Sequence, residues 1–232
     1  MLPIKDTIHS RSFPIVNWLL IGANTLVFLL ELTMSPLTLE RFIFHYGLVP
    51  ATINLFNPLT WFPFLTHMFI HSGWFHILSN MWILFIFGDN VEDRMGPWRY
   101  LVFYLLGGFA SALLQSLMIT DQLVPAIGAS GAIAAVLGAY ILFYPGARVI
   151  TIIPLFILPW LVQVPAVIFI GIWFISQLYS GLLSLSSASG ASLGGVAWWA
   201  HIGGFIFGLA LARIFTLGRP VRPQYPDEFN PW

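Results

Sequence analysis

Cysteine is absent from the 232-residue sequence, and charged residues are scarce. Without thiols, the chain can form no disulfide, no thiolate nucleophile and no cysteine-ligated metal site. Asp, Glu, Lys and Arg together make up 8% of the residues, against roughly 25% in ordinary soluble proteins. So few charges cannot cover a water-facing surface, which excludes a soluble enzyme. Nine basic residues balance nine acidic ones, so no basic surface for nucleic acid is expected.

Apolar residues, in contrast, make up 58% of the chain. A helix needs about 20 of them to cross the hydrocarbon core of a bilayer. The uncharged stretches, divided by charges and prolines, accommodate six such helices. We therefore predict an all-α polytopic membrane protein whose six-helix domain covers residues 15–215, between short tails at 1–14 and 216–232. The predicted spans are approximately residues 15–32, 71–87, 100–120, 128–145, 164–183 and 196–215.

The distribution of basic residues predicts how these spans are oriented. Basic side chains concentrate in cytoplasmic loops of membrane proteins. With six spans, eight of the nine basic residues fall on the side of the two termini, and only Arg41 lies opposite. We therefore expect both termini in the cytoplasm and a multi-pass location in the plasma (inner) membrane.

Two connecting segments differ from ordinary loops. Residues 33–70 form a long outer loop that is rich in Phe, Leu and Trp. Such a loop is expected to lie in the membrane interface or to dip into the protein. Residues 184–195 are rich in Ser and Gly, which predicts a flexible connection between the last two spans.

Polar residues inside predicted spans are costly in lipid and are often functional. Ser130, His201 and the pair His76 and Asn80 come from three different spans, and each lies near the outer end of its span. A serine hydroxyl needs a neighbouring base to act as a nucleophile, and His201 can serve as that base. Small residues after Ser130 and after His201 would let the two helices approach closely. The pattern therefore predicts acyl-transfer chemistry.

The other members of the site follow from the same pattern. Neither the Ser130 helix nor the His201 helix contains Asp or Glu, which favours a two-residue dyad over a triad. His76 and Asn80 are spaced four residues apart and therefore share one helix face. Both donate hydrogen bonds without a net charge, which suits an oxyanion hole together with the backbone N–H of Ser130.

Each of these residues also has a structural interpretation. Ser130 alone is typical of a tight helix contact, and His76 and Asn80 are typical of hydrogen bonds between helices. His201 alone fits a hydrogen-bonded interior histidine with a structural role as well as it fits a catalytic base. His67 and His71 are spaced for a metal site, but no third ligand follows at matching spacing, so no metal or other cofactor is expected.

Several motifs together resemble the rhomboid intramembrane serine proteases. They are Gly-Ala-Ser-Gly at 128–131, Ala-His-Ile-Gly-Gly at 200–204, the series His67, His71, His76 and Asn80, and Glu-Asp-Arg-Met-Gly at 92–96. The resemblance covers nearly the whole chain in the family's order. It implies a serine endopeptidase that cuts transmembrane protein substrates near their outer ends. Ser130 would be the nucleophile, His201 the base, and His76 and Asn80 the oxyanion donors.

The resemblance also implies how substrates enter. In the family the first loop lies partly in the membrane, and the fifth helix with the loop after it admits substrate sideways. Here those segments would be residues 33–70, 164–183 and 184–195. Two positions depart from the family pattern. The stretch Thr60-Trp61-Phe62-Pro63 has no Arg after its Trp, and Ala134 occupies the position where many members carry an aromatic residue against the catalytic imidazole.

Two other functions are compatible with the sequence. A rhomboid-like pseudoenzyme would bind membrane proteins without cutting them, but such relatives usually lack a reacting residue and this chain retains both. A small transporter could use the histidines as a proton path, but the sequence contains no internal repeat.

Overall fold

A computed structural model describes residues 2–54, 56–119, 123–155, 158–186, 196–220 and 223. In this part of the chain, short 3-10 turns occur at Pro50–Thr52, Pro58–Trp61, His67–Phe69 and Ala212–Thr216. The strands are β1 (Leu2–Asp6), β2 (Arg148–Leu155) and β3 (Leu158–Pro165). The helices are α1 (Ile15–Glu31), α2 (Pro36–Tyr46), α3 (Pro63–Thr66), α4 (Trp74–Met95), α5 (Pro97–Met118), α6 (Ser130–Phe143), α7 (Ala166–Ser186) and α8 (Trp198–Leu211).

The helices are those of a polytopic membrane protein. Among the described residues, three helices are long and apolar enough to cross a membrane: α5, most of α7, and α8 extended to Thr216. A fourth span results if α4 is joined to the segment Pro58–Phe69, from which it is bent by 85°. Helices α1 and α6 are apolar but shorter, at 17 and 14 residues. A helix therefore stands at each of the six predicted positions, while the count of six membrane crossings stays a prediction.

Helix α4 extends about two turns beyond the predicted end at residue 87. Its last turns carry charged side chains, which the sequence analysis placed outside the span. One of them, Glu92, accepts hydrogen bonds from the backbone N–H groups of Val16 at 3.0 Å and Asn17 at 2.7 Å. Helix α1 begins after Pro14 with no side-chain cap of its own. Glu92 therefore satisfies the free N–H groups at the start of α1, where the helix dipole also favours a carboxylate.

A three-stranded antiparallel sheet, ordered β1-β2-β3, was not predicted. Strand β2 pairs with β3 along its whole length, and Leu2 at the start of β1 faces Ile152 of β2. From the sequence, no strand is predicted between the fourth and fifth spans, and residues 1–14, where β1 lies, are predicted only as a tail. The strands are rich in Val and Ile, which pack well on a pleated sheet.

Asp6 fixes the end of β1 beneath the helices. Its carboxylate accepts hydrogen bonds from Asn90 Nδ2 of α4 at 3.0 Å and from the Tyr140 hydroxyl of α6. Burial raises the pKa of the Asp6 carboxyl well above its ordinary value. Strand β3 runs directly into α7, so the sheet links the N-terminal strand to that helix.

Helices α6 and α8 are in backbone contact. A Cβ atom on Gly204 would overlap the carbonyl oxygen of Gly131, and one on Gly208 would overlap that of Ala135. A Cβ atom on Gly138 would lie 2.5 Å from the carbonyl oxygen of Phe205. Only glycine permits such an approach, and the small residues that the sequence places on both helices lie in this contact.

Candidate active site

The closeness of α6 and α8 brings a serine and a histidine together. Ser130 is the first residue of α6, and His201 lies in the first turn of α8. The Oγ atom of Ser130 and the Nε2 atom of His201 are 2.6 Å apart, which is a short hydrogen bond. The His201 side chain is only 8% exposed. Water therefore has little access to the imidazole, and its hydrogen bonds come from the protein.

The other ring nitrogen of His201 contacts a residue that the sequence analysis missed. Its Nδ1 atom lies 2.7 Å from Oε1 of Gln177, which belongs to α7 and is buried. The sequence does contain a signal for a role of Gln177, because it is the only amide side chain in the predicted span 164–183.

Aromatic rings also surround the imidazole of His201. The ring of Trp173, from α7, lies 5.8 Å from it between centroids, and the ring of Trp198 lies 6.3 Å away and is nearly perpendicular to the imidazole. Ala134 supplies no ring from α6. The aromatic contacts that the family pattern would place at position 134 therefore come from α7 and α8 instead.

His76 approaches the serine from α4. The backbone N–H of Ser72 donates to its Nδ1 atom at 3.3 Å. The Nε2 atom lies against Gly128, two residues before Ser130. A Cβ atom on Gly128 would be 2.6 Å from this Nε2 and 3.7 Å from Ser130 Oγ, and Gly128 has a φ of +120°. Both the close approach and the backbone conformation require glycine at this position.

Asn80 lies one turn further along α4 and is buried. Its Nδ2 atom donates one hydrogen bond to the backbone carbonyl of His76, at 2.9 Å. This bond uses one of the two amide protons, so the second remains for another acceptor. Asn80 thus lies one turn from His76 on α4, and its place in an oxyanion hole stays a prediction.

His67 and His71, the first two histidines of the motif series, hold the end of the first loop. His67 Nδ1 donates to the carbonyl of Pro63 at 2.8 Å, and the carbonyl of His67 accepts from the N–H of Gly128 at 2.9 Å. The backbone N–H of His71 donates to the Glu31 carboxylate, at 3.2 and 3.3 Å to its two oxygens. Within the described residues, no group of three or more His, Cys, Asp or Glu could hold a metal ion. His67 is thus held by its ring and its carbonyl, and His71 by its backbone N–H.

The first loop also contacts the segment that precedes Ser130. Leu48 and Ala126 exchange backbone hydrogen bonds at 2.9 and 2.7 Å. Trp61, in the stretch that lacks an Arg, packs against Phe109 of α5 with ring centroids 6.0 Å apart. The loop is thus fastened by backbone pairing and aromatic contacts. Most of the predicted flexible loop, residues 187–195, lies outside the described residues.

Comparison with known proteins identifies a family. Residues 58–217 match the Rhomboid domain family. RHOMBOID-like protein 1 of Arabidopsis thaliana is 29% identical over 191 residues, which cover 82% of this chain and 41% of that protein. The human presenilin-associated rhomboid-like protein, mitochondrial, is 31% identical over 140 residues, which cover 59% of this chain and 35% of that protein. Rhomboid-type serine protease 2 of Emericella nidulans is 30% identical over 156 residues, which cover 66% of this chain and 27% of that protein.

Together, these findings define a polytopic helical membrane protein in which a serine hydroxyl meets an imidazole between two closely packed helices. The chain belongs to the rhomboid family. It spans about two fifths or less of the length of these relatives.

Proposed function

We propose that this protein is an intramembrane serine endopeptidase that hydrolyses peptide bonds in or near the transmembrane segments of membrane-protein substrates. The observation that carries the proposal is the 2.6 Å separation of Ser130 Oγ and His201 Nε2. A half-buried serine hydroxyl beside an imidazole nitrogen that can accept its proton is the arrangement that activates a hydroxyl for attack. Membership of a family that contains a protein named as a serine protease supports the same function.

In the proposed reaction, Ser130 Oγ attacks the carbonyl carbon of the scissile peptide bond while its proton passes to His201 Nε2. The resulting tetrahedral intermediate collapses when the C–N bond breaks and the imidazolium gives its proton to the departing amine. Water then enters and attacks the acyl–Ser130 ester as it loses a proton to His201, which passes that proton to Ser130 Oγ when the ester C–O bond breaks. His201 must be neutral, with its Nε2 facing the hydroxyl or the water, to accept each proton, and it gives the proton up again as the imidazolium.

The negative charge on the attacked oxygen would be stabilised by neutral donors. The backbone N–H of Ser72 can only donate, so Nδ1 of His76 acts as the acceptor in their bond. A neutral His76 then carries its proton on Nε2, the atom that faces Gly128 beside the serine. Asn80 and the free N–H groups at the start of α6 would complete the oxyanion hole.

The substrate class and the membrane setting belong to the same proposal. Substrates would be single transmembrane segments that reach Ser130 from the lipid past α7 and the 184–195 loop. Their scissile bond must leave the helix first, because a helical peptide bond is shielded by its own hydrogen bonds. The catalytic unit would be residues 15–215, with both termini in the cytoplasm and the protein in the plasma membrane, as the basic residues indicate.

Cleavage of a model single-span substrate in liposomes tests the function. The purified wild-type protein should cut the substrate at one region near an end of its transmembrane segment, mapped by mass spectrometry. Ser130→Ala and His201→Ala should both be inactive at unchanged melting temperature. A wild-type protein that binds the substrate without cutting it would instead identify a pseudoenzyme. Unchanged cleavage by Ser130→Ala would exclude the assigned nucleophile.

A further inference from the structure

The hydrogen bonds of Gln177 determine which end of its amide faces His201. Its Nε2 atom lies 3.1 Å from the backbone carbonyl of Trp173, which can only accept a hydrogen bond. It also lies 2.8 Å from the hydroxyl of Ser176. The amide NH₂ group is therefore directed at Trp173, and the opposite end, which faces His201, is the Oε1 oxygen.

This orientation determines where the imidazole carries its proton. An amide oxygen only accepts hydrogen bonds, so the 2.7 Å bond between Oε1 and His201 Nδ1 requires a proton on Nδ1. A neutral imidazole has one ring proton, and its other nitrogen is then an acceptor. That nitrogen is Nε2, which lies 2.6 Å from Ser130 Oγ.

We infer that Gln177 is a positioning residue that keeps His201 in the tautomer and ring orientation needed to accept the Ser130 proton. The inference rests on the proposed function. Gln177 here fills the place of the orienting third group that usually accompanies a nucleophile and its base. Because the side chain of Gln177 is neutral, it orients the imidazole without a buried carboxylate. A carboxylate would carry a large desolvation cost in the apolar interior.

The position of Gln177 also links the base to the packing of α7. The α7 residues at intervals of three and four on this face contact α8. Phe174 stacks on Phe205 with ring centroids 4.2 Å apart, and a Cβ atom on Gly181 would lie 3.2 Å from Ile202. Gln177 lies between these two contacts. A movement of α7 away from α8 would therefore break the Gln177–His201 bond, and the base is held only while α7 is packed against α8.

Substitutions of Gln177 test this role through steady-state cleavage of the single-span substrate in liposomes as a function of pH. Gln177→Leu keeps the bulk of the side chain and removes the acceptor. We expect its kcat to fall by about 10- to 100-fold with KM within twofold, a loss smaller than the whole effect of a general base, which is about 10²- to 10⁴-fold. Gln177→Glu restores an acceptor. We expect it to recover part of the lost kcat, since its second oxygen has no proton for the Trp173 carbonyl, and to shift the acid limb of the pH profile to higher pH, because the carboxylate stabilises the imidazolium.

A matched control separates positioning from the general loss of a buried amide. Gln115 is also buried, and its Oε1 accepts from the backbone N–H of Ala200 at 3.2 Å. Gln115→Leu should lower the melting temperature without moving the acid limb. The inference is overturned if Gln177→Leu cleaves with the wild-type kcat, or if Gln177→Glu is no better than Gln177→Leu and has the wild-type acid limb. If Ser130→Ala is inactive in these experiments, such a result removes only the role of Gln177. Full activity of Ser130→Ala would remove the proposed function itself.

Discussion

Replacement of Gly204 by Ala should damage the site without touching either reacting residue. The new Cβ atom would overlap the carbonyl oxygen of Gly131 and lie 2.9 Å from its carbonyl carbon. Both atoms are backbone, so no side chain can rotate away. The two helices must separate by about 1 Å, and overpacking of this kind typically costs about 1–3 kcal/mol of stability.

The separation acts directly on the reacting pair. Gly131 follows Ser130, and Gly204 lies less than one turn after His201. A displacement of about 1 Å would take the 2.6 Å hydrogen bond between Ser130 Oγ and His201 Nε2 beyond hydrogen-bonding range. Misplacement of reacting groups by about 1 Å can lower a rate by about 10²-fold. We therefore expect Gly204→Ala to lose about two orders of magnitude in kcat/KM together with a lower melting temperature.

Gly22→Ala is the matched control for this experiment. Gly22 lies within α1, and a Cβ atom there would meet no atom within 4 Å. Because Ala favours a helix over Gly, this variant should be as stable as the wild type or slightly more so, with unchanged cleavage. Cleavage of the single-span substrate and thermal unfolding in detergent would be measured for both variants. Wild-type cleavage and melting of Gly204→Ala would refute the backbone contact between α6 and α8.

Three further predictions concern the surroundings of the site, the start of α1 and the buried Asp6. Gly128→Ala should lower kcat/KM by about 10- to 100-fold, because its Cβ atom would displace His76 from beside Ser130, whereas unchanged kinetics would argue against an oxyanion role for His76. Glu92→Ala should lower the free energy of unfolding by about 1–3 kcal/mol, since two N–H groups at the start of α1 lose a charged acceptor; chemical denaturation measures this, and an unchanged midpoint would contradict it. Because folding raises the pKa of Asp6, the contribution of Asp6 to the free energy of unfolding should decrease as pH rises above 3.8. The melting temperature of the Asp6→Asn variant should therefore fall less with rising pH than that of the wild type, and identical profiles would contradict this.

The candidate site could be predicted from the sequence largely because its residues are conspicuous in lipid. Ser130, His201 and His76 are polar groups in apolar segments, and each lies at the same end of its helix. Because spanning helices all end at the membrane surface, residues near the same end of three helices lie at a similar depth. Similar depth indicates that the three side chains can lie close together. The closeness of α6 and α8 could likewise be read from their glycines, because small side chains at helical spacing serve to bring backbones together.

The contact of Gln177 with His201 and the pairing of the strands are set by tertiary packing, which the local sequence does not show. Whether Gln177 faces the site is set by the rotation of α7 against α8, which the packing of Phe174 on Phe205 determines. Strand β1 pairs with a segment nearly 150 residues away, and such long-range pairing has no local signal beyond β-branched residues. The charged residues near the end of α4 predict that the helix ends earlier than it does. The sequence does not show that one of them, Glu92, is held by the start of α1, which is distant in the chain.

The central claim is that Ser130 is a nucleophile activated by His201, and labelling with a fluorophosphonate tests it most directly. This reagent reacts covalently with activated serine hydroxyls, so labelling needs no knowledge of the natural substrate. We predict that the wild-type protein is labelled on Ser130, as located by mass spectrometry, and that His201→Ala abolishes the labelling in a protein that melts at the wild-type temperature. Labelling that persists unchanged in Ser130→Ala, or that does not depend on His201, would contradict the account.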